Sequence, residues 1–82
     1  MTLPEATDKL ANALMRAICE HGQPNSFGPS ELTRLYGGPT ALLAGRVVRQ
    51  PYGLRDLRRL TCQPTLTYTD RRFRVGKEGE TL

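Results

Sequence analysis

The tripeptide Gly37-Gly38-Pro39 constrains this chain more than any other feature. A helix does not run through it. Glycine admits a left-handed turn that a side chain resists, and proline lacks the N–H that an interior helical turn needs. The stretch Gly28 to Arg49 therefore reads as a short helix, a tight turn and a second helix. Pro29 suits a first helical position, and Glu31 lies in the first turn, favourable against the positive helix end. Leu32, Leu35 and Tyr36 follow at helical spacing. The first helix is expected over Gly28–Tyr36. The second restarts at Pro39-Thr40 and runs to Gln50, where Pro51 stops it because the residue before a proline avoids the helical region.

In the second helix, Leu43 and Val47 are expected to face the core, with Leu42 or Val48 flanking. The opposite face is expected to carry Thr40, Ala41, Ala44, Gly45, Arg46 and Arg49, small at its start and cationic at its end. A glycine within a helix costs ~1 kcal/mol relative to alanine. Gly45 thus marks either a helix-packing site or a place where an outside partner comes close.

Before this pair, Thr2-Leu-Pro-Glu5 has the spacing of a capping box. Leu10, Leu14, Ala17 and Ile18 then form the apolar stripe of an amphipathic helix of about four to five turns. Gly22 and Pro24 are expected to end it. His21–Phe27 reads as a loop, with His21 at the helix end and Phe27 as a core anchor or hydrophobic staple. After the pair, Leu54, Leu57 and Leu60 suggest one or two helical turns, apolar inward and basic outward.

From Leu66 the period becomes two. A tight turn at Asp70-Arg71 sets Tyr68 opposite Phe73 and Leu66 opposite Val75, all on one face. Thr67, Arg72 and Arg74 take the other face, with Arg71 at the tip. Pro64 implies that the first strand starts late or lies at an edge. Residues 1–76 read as one domain and 77–82 as a frayed tail.

Charge is distributed unevenly. Residues 1–45 carry three basic and four acidic groups, whereas residues 46–77 carry nine basic groups against two acidic, and eight of the nine are arginine. Arginine's planar fork suits phosphate and guanine edges, so the basic half points to a polyanion. No apolar run approaches the ~20 residues that cross a bilayer, and the N-terminus lacks a secretory pattern. No membrane association is expected, and a cytoplasmic location is. Cys19 and Cys62 match no metal spacing and are expected to be buried free thiols. No nucleophile–base pair, acid pair, phosphate-cradling loop or ligand set is evident, so neither an enzyme nor a cofactor or metal is expected.

Ser30-Glu-Leu-Thr-Arg-Leu-Tyr36 and Leu66-Thr-Tyr-Thr-Asp-Arg-Arg-Phe-Arg-Val75 carry a resemblance to the winged helix-turn-helix family, which spans roughly residues 8–76. The first resembles that family's second helix and the second its wing. The fold class implied is α+β, mostly α: three helices, a short helical segment and a C-terminal β-hairpin. In that family the recognition helix enters the major groove and the wing meets the neighbouring backbone or minor groove. Carried onto this chain, the resemblance implies recognition positions at Thr40, Ala41, Ala44, Arg46 and Arg49, wing contacts at Arg71, Arg72 and Arg74, and a phosphate contact from Ser30 or Arg34.

Two functions follow as expectations. One is a small transcriptional regulator that binds double-stranded DNA as a homodimer, since one such domain offers few contacts. The other is a phage or mobile-element inhibitor that binds a host protein or nucleoprotein complex, of an anti-CRISPR-like or polymerase-binding kind, through its arginine-rich face. The small size and the weakly polar second helix suit the latter.

Overall fold

The computed structural model describes residues 2–21 and 25–76. Helix α1 spans Leu3–His21, strand β1 Asn25–Phe27, α2 Pro29–Tyr36, α3 Gly38–Val48 and α4 Gly53–Thr61, followed by β2 Thr67–Thr69 and β3 Arg72–Val75. The fold is α+β and mostly helical, with a three-stranded antiparallel sheet in the order β1-β3-β2.

The capping box at the start of α1 forms. The Glu5 backbone N–H donates to Thr2 Oγ1 at 3.3 Å, and the Thr2 hydroxyl donates to Glu5 Oε1 at 3.1 Å. The expected stripe is the buried one: Leu10, Leu14 and Ala17 have no exposed surface, and Ile18 is 8% exposed. Helix α1 lies against α3 and α4. Leu32, Val47, Leu57, Leu66 and Phe73 complete the centre of the core. Burying each such side chain contributes about 1.5–3 kcal/mol.

Gly37 alone makes the turn between α2 and α3. At φ +95° it ends α2, its N–H donating to Thr33 O at 2.9 Å, and it also precedes the first residue of α3. The second helix therefore starts at Gly38 rather than Thr40, because Pro39 fits within a first turn. It ends at Val48 rather than Gln50.

Helix α4 is nine residues, longer than one or two turns because Gly53 begins it. A Cβ at Gly53 would lie 1.9 Å from the Val47 carbonyl oxygen, so only glycine lets α4 start this close to the end of α3. Leu57 is buried, with Leu54 and Leu60 half-buried around it. Arg58 Nε donates to Leu66 O at 2.7 Å and ties α4 to the approach of β2. Cys62 closes the helix in the left-handed region at φ +55°.

The hairpin has the expected register. Tyr68 pairs with Phe73, flanked by Thr67 with Arg74 and Thr69 with Arg72. Asp70 and Arg71 form the turn, both left-handed at φ +53° and +60°. Strand β2 is an edge, as Pro64 implied. The loop expected over residues 21–27 is corrected in part: Asn25–Phe27 is a strand paired with β3, Phe27 opposite Phe73. Three residues with no β-branched side chain give no local signal, and the pairing is fixed by a strand some 46–50 residues later. Phe27 is the core residue expected. The expected stops at Gly22 and Pro24, and the tail 77–82, lie outside the described residues.

Both cysteines are free, as expected, but exposed rather than buried. Cys19 sits on the polar face of α1, and Cys62 is given over to capping α4.

Candidate nucleic-acid interface

Helix α3 and the hairpin stand on either side of an open groove of ≈ 210 Å³. Ala41, Ala44, Gly45 and Arg49 line it from α3, Pro29 and Leu32 from α2, and Tyr68, Arg71 and Phe73 from the hairpin. The C-terminal arginine of α3 and the arginine at the hairpin tip thus border one cleft. Both are exposed. Among the described residues, the two ion pairs are Arg72–Glu31 and Arg59–Asp56, so neither Arg49 nor Arg71 is neutralised by a carboxylate.

The walls of this groove follow from simple packing. Tyr68 and Phe73 face each other across the strands, ring centroids 4.6 Å apart and tilted by 51°, within the range that favours aromatic pairs. Ala41 and Ala44 keep the α3 side low. A Cβ at Gly45 would meet nothing within 4 Å. Among the described residues, no intramolecular packing accounts for this glycine, so the helix-packing reading finds no support.

Two proposed recognition positions are corrected by their burial. Thr40 is 5% exposed and its hydroxyl donates to Tyr36 O at 3.3 Å, so it closes the α2–α3 junction. Ala44 is also 5% exposed and only its edge reaches the groove. The reason is rotational. Thr40, Leu43, Ala44 and Val47 are spaced i, i+3, i+4 and i+7 and so share the inward face, and the outward face carries Leu42, Arg46 and Arg49. Of the two residues expected to flank the core, Val48 is half-buried and packed against it, whereas Leu42 is 77% exposed. Ala41 is half-buried on the groove side.

Arg72 is the third correction. Its guanidinium holds the sheet to α2: Nε donates to Ser26 Oγ at 2.8 Å, and Nη2 donates to Ser26 O at 3.3 Å and to Glu31 Oε1 at 2.7 Å. Glu31 Oε2 in turn accepts the Gly28 backbone N–H at 3.1 Å. The bond from Arg72, helped by backbone N–H groups, holds the Glu31 carboxyl below the usual carboxylate range. A Cβ at Gly28 would come within 2.7 Å of the Arg72 Nη1, so the bare backbone there makes room for the guanidinium. Arg72 is a structural clamp, and the hairpin's outward cations are Arg71 and Arg74. No local pattern signals this clamp, because Ser26 and Glu31 lie 46 and 41 residues away.

Arg74 is exposed on the sheet face away from Phe73. Ser30 and Arg34 are exposed one turn apart on α2. None of these three lines the groove. A larger recess of ≈ 400 Å³ lies between the start of α1 and the start of α4, bordered by Leu3, Pro51, Tyr52 and Leu60. Tyr52 is exposed there, with the Arg55 guanidinium carbon 4.1 Å from its ring centroid. Among the described residues there is no group of histidine, cysteine and carboxylate side chains able to hold a metal, and no helix long and apolar enough to cross a membrane. Compared with protein-family models, with curated proteins and with solved structures, the chain matches none.

Proposed function

We propose that this protein is a small DNA-binding protein of winged helix-turn-helix design, acting as a transcriptional regulator. One observation carries the proposal: Arg49 and Arg71, from separate elements, border a single groove between α3 and the hairpin, and among the described residues no carboxylate is bonded to either. Two uncompensated guanidinium groups across a cleft suit a phosphodiester strand, which arginine binds through paired N–H donors. Arg46 extends the cationic face along α3. Placed against duplex DNA, α3 would enter the major groove and the hairpin tip would meet the adjacent backbone. One domain makes few contacts, so tight binding requires a homodimer on paired half-sites.

The exposed Leu42 favours a second reading, a protein-binding module whose α3 docks an apolar anchor on a host protein. Fluorescence anisotropy with a mixed-sequence duplex separates the two. The DNA reading expects binding that weakens in both Arg46→Ala/Arg49→Ala and Arg71→Ala. A parent protein that binds no duplex at low salt, but retains a stoichiometric partner from nuclease-treated lysate, overturns it.

A further inference from the structure

The exposed face of α3 is chemically sparse, and that sparseness sets what it can read. Taking the DNA-binding reading as its basis, we infer that Leu42 gives this protein a preference for thymine, by seating on the C5-methyl group in the major groove.

The face turned away from the core carries Leu42, Gly45, Arg46 and Arg49. Leu42 and Arg46 are four residues apart, so they are stacked one turn above the other. Leu42 is 77% exposed, the most exposed of the large apolar side chains among the described residues. A single exposed leucine is ordinary on a protein surface. Here, however, Pro39 at the helix start aside, it is the one exposed side chain on the reading face other than arginine that reaches beyond a β-carbon. The face offers no asparagine or glutamine to pair with adenine and no carboxylate to accept from cytosine. Base discrimination is therefore left to two chemistries: arginine with guanine, and an apolar side chain with the thymine methyl.

Gly45 makes the contact reachable. It lies three residues after Leu42, and a Cβ there would meet nothing within the protein. The missing side chain leaves a notch beside Leu42, through which the helix can sit deeper in the groove. The charged neighbours supply the attraction that brings an apolar side chain to a polyanion. Arg46 and Arg49 follow Leu42 along the same outward face and open the region 46–77, which carries nine basic groups against two acidic.

The test removes one methyl group at a time from the DNA. A preferred duplex is first selected from a random pool using the parent protein. Each thymine in it is then replaced in turn by deoxyuridine, which lacks only the C5-methyl. The expected result is that one or two positions lose about fourfold in affinity each, the worth of burying one methyl-sized group. In Leu42→Ala those same positions become insensitive to the change, while Arg46→Ala leaves the thymine effect in place. Selection that enriches no thymine, or a uracil effect that persists in Leu42→Ala, overturns the inference and leaves DNA binding standing. Failure of the parent protein to bind any duplex overturns the DNA reading itself. Leu42→Met, which keeps the length and apolar character of the side chain, retains the thymine effect and guards against a loss of fold in the alanine variant.

Discussion

Arg71 sits at φ +60° at the tip of the hairpin, beside Asp70 at φ +53°. A left-handed conformation costs a side-chain-bearing residue roughly 1–2 kcal/mol, and hairpin turns of this kind favour glycine. The same residue borders the groove. Stability and function are thus expected to part company in Arg71→Gly: the midpoint of thermal unfolding rises by about 4–8 °C, the equivalent of about 1 kcal/mol in a domain of this size, while duplex affinity falls. Calorimetry and anisotropy on one preparation check both. Gly45→Ala makes the mirrored case, gaining about 1 kcal/mol of helix stability and losing affinity as a methyl group fills the notch. Arg72 behaves otherwise. Its bond lowers the folded-state pKa of Glu31. The stabilisation is therefore present above the ordinary carboxylate pKa of about 4 and is lost as pH falls through the folded value. Arg72→Ala costs about 1 kcal/mol near neutral pH, as a partly exposed ion pair should, and the deficit shrinks in urea melts taken at progressively lower pH. Local sequence was a poor guide to these roles. Arg71 and Arg72 are adjacent and chemically identical, yet one points outward and the other bonds Ser26 and Glu31, and only tertiary contacts distinguish them.

At the scale of elements, the joint between α3 and α4 is the least forgiving contact. Gly53 lies against the carbonyl of Val47 with no room for a methyl group. Gly53→Ala is expected to destabilise the fold by about 2–3 kcal/mol, in the range of other overpacked sites. Gly38→Ala, where a Cβ meets nothing within 4 Å, serves as the matched control and shifts a urea midpoint little. The elements themselves were largely legible. The α1 stripe, the break at Gly37, the Leu54–Leu57–Leu60 spacing and the Tyr68–Phe73 register are all periodic signals that short-range physics preserves. What escaped was set by distance or by rotation. Strand β1 exists because β3 pairs with it, and Asn25-Ser26-Phe27 has no alternation to announce that. With Leu43 and Val47 facing the core, the helical repeat itself places Thr40 and Ala44 inward and Leu42 outward, so part of the expected reading face belongs to the core side of α3.

Over the whole molecule, the sequence predicted where charge would gather but not how it would be shared out. Of the arginines after residue 50, Arg72 is committed to Glu31 and Ser26, Arg58 to the Leu66 carbonyl, Arg59 to a long contact with Asp56 and Arg55 to the Tyr52 ring. Among the described residues, no ion pair holds Arg71, Arg74 or Arg49. The cationic groove is therefore smaller than composition implies, and its contribution to duplex binding is countable. Each phosphate contact contributes close to 0.9 to the slope of log affinity against log salt concentration. The most direct measurement is that slope for the parent protein and for Arg49→Ala/Arg71→Ala on one duplex. A parent slope that flattens by about 2 in the double variant is the predicted result, and an identical slope in both proteins would contradict the groove as the DNA-binding site.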